Sequence, residues 1–277
     1  MRFGIITAKD NKKAQEISEK IEKYIDGKKH EVVSDLARCG LVLTLGGDGT
    51  LIHAASEYAD LGIPFFGINV GTLGFLTAVE VDEWQRAVDK IIEGKYFVSE
   101  RMTLEASIES DSKFQIPLRL RSGSSTNSKF RALNEIVVKG MYRVVDLDIH
   151  VDSQKFLSIV GDGVIIATQT GSTAYSLSAG GPIVDPEIDC FLVTPVNAHG
   201  LPIPSVALSP NNTVEIKIKE GDDVSLIIDG QEHTKVSMGQ VIRVSKGKHR
   251  VKFAYFDKHH FLKALNAKFG LASRLVG

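Results

Sequence analysis

Leu41-Val42-Leu43-Thr44-Leu45-Gly46-Gly47-Asp48-Gly49-Thr50 is the stretch from which the rest of the chain can be read. The first five residues are mostly apolar and β-prone, so they predict a buried strand. Three glycines around one carboxylate follow, and Thr50 to Tyr58 reads as a helix. A glycine turn between a strand and a helix lets backbone N–H groups approach a phosphate with no side chain in the way. Asp48 itself repels phosphate, so it is not part of a simple phosphate cradle. It reads as a base, as a metal ligand beside phosphates, or as a cap on the helix. The strand–turn–helix context points to a nucleotide or phosphoryl-transfer site. There is no Gly-Lys-Ser/Thr of a P-loop and no GxGxxG, so a phosphate-handling lysine must come from elsewhere or be replaced by a metal.

The pattern spreads outward from that stretch. Phe3 to Ala8 reads as a strand. Asn11 to Tyr24 reads as a helix, with Ala14, Ile17, Ile21 and Tyr24 on one face. Pro64 to Val70 is a second buried strand and ends in another glycine turn, Gly71-Thr72-Leu73-Gly74-Phe75. Asp82 to Ile92 is amphipathic. Strands and helices therefore alternate to about residue 98, which predicts a Rossmann-like parallel sheet with ligands at the C-terminal ends of its strands. Beyond Val98 the runs are short and often alternate, among them Met102–Ile108, Phe114–Leu120, Val144–Val151, Thr213–Ile218 and Val251–Tyr255. A polar insert, Ser122–Ser128, separates two of them. The expectation is an α/β domain over residues 1–98 and a β-rich, sandwich-like domain over 99–257. His259 to Lys268 is a final helix.

The bulk numbers bound the function. The 277 residues are 43% hydrophobic and 7% aromatic, with a net charge of −1. That is enough chain for two modest cores, and it offers no global field for nucleic acid or an anionic membrane. Cys39 and Cys190 sit apart in apolar stretches, as reduced buried thiols do. The first residues are too short for a signal peptide, and no run is apolar for the roughly 18 residues a membrane helix requires. A cytoplasmic protein is expected.

Several polar groups stand out in the second half. Asn134-Glu135 lies within an apparent strand, Ala132 to Val138, where unpaired polar groups are costly. Gly161-Asp162-Gly163 repeats the glycine–aspartate theme, and on its own it reads as a turn. Thr170 to Pro182 (TGSTAYSLSAGGP) sets hydroxyls and a tyrosine at a helix start, where anions and ribose or base edges can be bound. Asp229-Gly230 is most simply a type I′ hairpin turn. His199 reads as a surface histidine in a proline-rich loop, and His259-His260 as helix surface.

Taken together, these stretches resemble the NAD kinase family: GGDGT at 46–50, NVGTLGFLT at 69–77, Asn134-Glu135, GDGVIIAT at 161–168, TGSTAYSLSAGGPIV at 170–184 and DGQ at 229–231. GGDGT is shared with diacylglycerol-type and sphingosine-type lipid kinases, whereas the 170–182 run and the Asn-Glu pair are far more specific. Departures are Gln169 where the family usually has Pro, TPVNAH at 194–199, and valines at 145 and 160 where some members are basic.

The resemblance implies transfer of the γ-phosphoryl of ATP to the 2′-hydroxyl of the adenosine ribose of NAD, giving NADP. Asp48 would take the hydroxyl proton. Gly47 and Gly49 would let the ribose approach, and His53, one turn along the helix, would reach phosphates. Phe75 would line the pocket, and Asn134 and Glu135 would bond adenine and ribose edges. Asp162 would meet the nicotinamide end. Thr170, Thr173, Ala174, Tyr175, Ser176, Leu177 and Ser178 would surround the adenine, with Asn197 and Gln231 touching from neighbouring loops. The resemblance also implies Mg²⁺ or another divalent cation with ATP, and a homodimer or homotetramer. It implies that the tail from about Lys258 returns to the first domain and that the dinucleotide lies between the two domains. The alternatives are a lipid kinase sharing GGDGT and a non-catalytic NAD(P)-binding regulator.

Overall fold

The structure is a computed structural model and describes residues 1–71, 74–110, 129–200 and 202–271. The expected strand Phe114–Leu120 and the polar insert Ser122–Ser128 lie outside the described residues, as do Thr72 and Leu73. The chain divides into two compact units, Met1–Arg101 joined by the segment that starts at His249, and Met102–Lys248.

The first unit begins with β1 (Arg2–Thr7), α1 (Lys12–Gly27), β2 (Glu31–Val32), β3 (Leu41–Gly46), α2 (Asp48–Glu57), β4 (Pro64–Asn69), β5 (Val79–Glu80), α3 (Trp84–Ile92) and β6 (Phe97–Arg101). Strands β1 to β4 are paired in parallel in the order β2-β1-β3-β4, and β5 adds to β4. Asn11 starts α1 by accepting the Ala14 amide at 3.0 Å, and the apolar stripe Ala14, Ile21 and Ile25 is buried. That stripe and Ala87, Val88 and Ile91 of α3 share a core with Leu41, Leu43 and Leu45 of β3 and with Phe66 and Ile68 of β4. The alternate positions face the other way. There α2 lies close to the sheet: a Cβ on Gly67 would come within 3.0 Å of Leu51. Helices thus cover both faces, and the strand C-terminal ends stay available to the glycine turns.

The second unit holds β7 (Leu104–Ser110), β8 (Lys129–Ala132), β9 (Glu135–Gly140), β10 (Val145–Val151), β11 (Gln154–Gly161), β12 (Gly163–Thr168), the short α4 (Tyr175–Ser178), β13 (Phe191–Val196), β14 (Val206–Leu208), β15 (Val214–Glu220), β16 (Val224–Ile228), β17 (Glu232–Val236) and β18 (Gln240–Lys246). These strands form two six-stranded antiparallel sheets, β11-β10-β15-β18-β7-β8 and β14-β13-β12-β9-β16-β17. Alternate residues from both sheets meet in one core, Leu147, Ile149, Ile216 and Ile242 from the first and Ile136, Val138, Ile166 and Leu226 from the second. This is sandwich packing. The outer face of the second sheet, Val137, Ile165 and Leu192, is covered by Ala179 and Val184 from the segment after α4. Cys39 and Cys190 are both free and buried. No described helix is long and apolar enough to cross a membrane.

Two differences from the sequence reading matter. Val251–Tyr255 (β19) does not continue the sandwich. It pairs in parallel with β4 and antiparallel with β6, completing the first unit's sheet before α5 (His260–Phe269). An alternating apolar strand carries no local mark of which sheet it joins, so this pairing is invisible without long-range contacts. Asn134 is also not in a strand. Leu133 and Asn134 form the break between β8 and β9, and Glu135 opens β9.

Candidate active site

In the first unit the chemistry gathers at the end of β3. Gly47 is the N-cap of α2 and Asp48 its first residue, so the helix begins two residues before the expected Thr50. Asp48 does not cap its own helix. Its carboxylate instead turns to the second glycine turn and accepts three amides: Phe75 at 2.6 Å on Oδ2, and Leu76 at 3.0 Å and Thr77 at 3.1 Å on Oδ1. An ionised carboxylate offers about four lone-pair positions. Three are taken, one on Oδ2 and two on Oδ1.

Gly74 makes this arrangement possible. A Cβ there would lie 1.9 Å from Asp48 Oδ1. Gly46 is required for another reason, since a Cβ would lie 2.3 Å from Thr50 Oγ1. The space around Gly47 is open, with nothing within 4 Å of a built Cβ. The start of the second turn is held separately. Buried Asn69 accepts the Gly71 amide at 3.1 Å while its own Nδ2 donates to both oxygens of Glu80. His53 is exposed on α2 and lies 3.5 Å from Glu57. Phe75 is half-buried against Phe269, with the Lys268 ammonium 4.3 Å from its ring centroid.

The second unit carries the other group of predicted residues. Asn134 and Glu135 are buried, and the Asn134 Oδ1 and Glu135 Oε2 atoms have no hydrogen-bond partner among the described residues. The 170–173 turn is seated directly on the Asn134 main chain: Thr168 N–H donates to Asn134 O at 2.8 Å, and a Cβ on Gly171 would sit 2.2 Å from that same oxygen. Asp229 lies at the I′ turn, with φ of 47° followed by 69° at Gly230. Its side chain does more than turn the chain. It accepts the amides of Leu133 at 2.8 Å, Asn134 at 2.8 Å and Glu135 at 3.1 Å. Glu135 pays for this arrangement: burial, and then the neighbouring Asp229 charge, push its carboxyl up to about 8, against a hydrogen bond from the Tyr175 main chain that pulls it down. Near neutral pH Glu135 is mainly the neutral acid, able to donate a proton to a ligand acceptor.

Thr170, Thr173, Ala174, Tyr175, Leu177 and Ser178 follow one another through the 3-10 turn Thr170–Thr173 into α4, beside Asn134 and Glu135. Tyr175 and Ser178 are exposed, and Gln231 is exposed at the adjoining hairpin. Ser176 is different. It is fully buried and its hydroxyl is engaged with Thr194 at 2.9 Å, which in turn meets Ser205. Gln169, in the usual proline position, is buried and donates to Pro186 O and Asp189 Oδ1. Asp162 and Asn197 pair at 2.6 Å, but at the opposite end of β12 from Thr170. Six strand residues separate the two groups, roughly 20 Å.

Sequence reasoning missed Asp229, Gly74 and Asn69. DGQ and NVGTLG mark their positions, yet their partners are 95 and 26 residues away for the first two, and nothing local specifies them. Among the described residues no group of three or more His, Cys, Asp and Glu side chains gathers to hold a metal.

Comparison with known proteins supplies the family. The ATP-NAD kinase N-terminal domain model matches residues 4–96 and the ATP-NAD kinase C-terminal domain model residues 133–256. The chain is 38% identical over 236 residues to an NAD kinase of Clostridium botulinum (strain 657 / Type Ba4), covering 84% of this chain and 79% of the relative. It is 35% identical over 240 residues to an NAD kinase of Lachnoclostridium phytofermentans, covering 84% and 80%. Among solved structures, yeast NADH kinase complexed with NADH is similar in fold, with a TM-score of 0.84 and 23% identity over 99% of this chain and 89% of that one. An NAD kinase from Archaeoglobus fulgidus in complex with ATP has a TM-score of 0.75 at 24% identity, over 96% and 98%.

Proposed function

The chain belongs to the ATP-NAD kinase family, and from that footing we propose how its residues share the transfer of the γ-phosphoryl of ATP to the 2′-hydroxyl of the adenosine ribose of NAD. The lipid-kinase and non-catalytic readings find no support in these matches. Asp48 is the acceptor-side residue. Its three amide donors fix the carboxylate, and the remaining Oδ2 lone pair receives the ribose hydroxyl, orients it and takes its proton as the phosphoryl arrives. Gly47 leaves room for the ribose.

In the second unit, the buried Asn134 Oδ1 and the neutral Glu135 carboxyl are an acceptor and a donor waiting for a polar ligand edge. Together with Thr170, Thr173, Ala174, Tyr175, Leu177 and Ser178 they form the adenosine side, and Asp162 with Asn197 forms the nicotinamide side. Ser176 supports this surface from within. Gln231 adjoins that surface of the second unit; in the first unit Phe75 lines the pocket beside Asp48, and His53 approaches phosphates.

Mg²⁺ or another divalent cation would come with ATP, held by the oxygens of the triphosphate. A homodimer or homotetramer is expected from the family resemblance, and light scattering measures it. Two buried free thiols suit the reducing cytoplasm.

The triply bonded Asp48 carboxylate is the observation that carries this reading. Its test is NADP formation from NAD and MgATP by the purified chain and by Asp48→Asn. We expect the substitution to lower kcat by roughly 10²–10⁴-fold, since the amide keeps the shape but cannot take the proton. Wild-type turnover by Asp48→Asn would overturn the assignment.

A further inference from the structure

We propose that Gln169 is a positioning residue: its side-chain amide, anchored on Asp189, holds the turn Thr170–Thr173 in the shape that meets the adenosine side of NAD. The proposal rests on the adenosine assignment given above. Gln169 is the N-cap of that turn and is 1% exposed. Its Nε2 donates to Pro186 O at 3.4 Å and to Asp189 Oδ1 at 3.2 Å. The other carboxylate oxygen of Asp189 accepts the Lys246 ammonium at 3.1 Å, so the anchor is itself fixed from β18. Hydrogen bonds to an ionised acceptor are roughly twice as strong as neutral ones.

The turn is gripped from two sides. On one side Thr168 Oγ1 donates to Leu133 O at 2.6 Å and accepts the Gly171 amide at 3.1 Å. On the other, Ser172 Oγ accepts the Val184 amide at 3.0 Å, and Gln169 reaches Pro186 and Asp189. Thr170 stands between these anchors with a buried Oγ1 that has no partner among the described residues, as have Asn134 Oδ1 and Glu135 Oε2. A shift of the turn would therefore displace Thr170 from the two groups it shares a ligand with. Pro186 O and Asp189 Oδ1 are both acceptors, so only the NH₂ end of the Gln169 amide can face them. Its Oε1 is left buried with no partner among the described residues, which costs stability. An aliphatic side chain of the same size would fill the space without that cost, so packing is not what the amide provides.

The backbone of Gln169 supplies a rescue. Its φ of −57° and ψ of −34° are values that a proline ring also fixes, and an N-cap N–H is not used by the turn it starts. Gln169→Leu keeps the volume and removes both hydrogen bonds. It should melt close to the wild type and raise KM for NAD roughly 5–20-fold, the net worth of about one charge-assisted hydrogen bond, with kcat and KM for ATP within about threefold. Asp189→Ala removes the same anchor at a side chain that is 23% exposed, where folding is not at risk, and should raise KM for NAD to the same extent. The double variant should be no worse than either single one, since both break one contact. Gln169→Pro should return KM for NAD to within about twofold of the wild type. Hydrogen exchange at the Gly171 and Ser172 amides should speed up in Gln169→Leu and slow again in Gln169→Pro. Wild-type KM for NAD in both Gln169→Leu and Asp189→Ala overturns the proposal, whatever the exchange rates. So does a Gln169→Pro protein as impaired as Gln169→Leu, because Gln169 then does not act through the shape of the turn. Asn134→Ala measured alongside separates the two assignments. If it raises KM for NAD while Gln169→Leu does not, only the positioning role fails. If it too leaves KM unchanged, the adenosine assignment fails and the claim for Gln169 falls with it.

Discussion

Asp48 and Glu135 are acidic side chains in the two halves of the same enzyme, and the structure treats them in opposite ways. Asp48 collects three main-chain N–H donors from a turn that has no side chain at Gly74 to obstruct it. Glu135 is 5% exposed, its Oε2 has no hydrogen-bond partner among the described residues, and the Tyr175 main chain only partly offsets its burial, while Asp229 takes the amides of Leu133, Asn134 and Glu135 itself. What a buried carboxyl does depends on which group wins the available donors. The first unit directs its donors to Asp48. The second directs them to Asp229, which shapes the loop, and leaves the Glu135 carboxyl neutral near pH 7.

That contrast can be broken at its strongest point by Gly74→Ala. The added Cβ would sit 1.9 Å from Asp48 Oδ1, so either the carboxylate or the turn must move. Steady-state kinetics should show kcat reduced by roughly 10²-fold or more, with secondary structure unchanged by circular dichroism. Retained activity would mean that the donor set around Asp48 is dispensable.

Asp229→Ala attacks the other half. It strands three amides that a charged acceptor now satisfies, and should cost about 3–5 kcal/mol in urea unfolding. The loss should be smaller at high pH than at neutral pH, because removing the Asp229 charge also relieves Glu135.

Glu135→Gln sharpens the comparison through pH. The folded carboxyl is raised to about 8 from 4.5, so the folded state holds a proton that the unfolded chain releases. Its contribution is fully present below about pH 4.5, falls as pH rises, and is gone above about 8. The wild type should therefore lose stability from pH 5 to 8.5 by an amount that Gln, which mimics the neutral acid, removes. At pH 8.5 the variant should be more stable by about 1–3 kcal/mol in thermal melts. Equal slopes for the two proteins would show that Glu135 is ionised throughout.

The smallest effect belongs to His53→Ala. His53 is exposed and its only described ionic contact is Glu57 at 3.5 Å, so stability should change by less than about 0.5 kcal/mol. KM for ATP or NAD should rise a few-fold if its phosphate role holds.

The two halves also differ in how far they can be read from the chain. The β3–α2 junction is legible because a five-residue apolar run, three glycines and a helical period occur within twenty residues. The 170–182 run is legible for the same reason. Its context is not. Ser176 sits among the hydroxyls as if to meet a ligand, but the fold turns it inward to Thr194. His260 reads as helix surface and is found stacked on Tyr255 instead. Asp229 reads as a hairpin residue, which it is, while its second task at Leu133–Glu135 depends on a loop almost a hundred residues earlier.

By itself, the sequence determined the periods, the turns and the motif that places this chain among its relatives, because these depend on steric and hydrophobic patterns spanning a few residues. The tertiary structure decided that β19 completes the first sheet, that Gly74 must make way for Asp48, and that Asp229 rather than Glu135 receives three amides. Those outcomes depend on which distant segments share a sheet and which acceptor reaches a given N–H first. Such competition is settled only when the whole chain has closed upon itself.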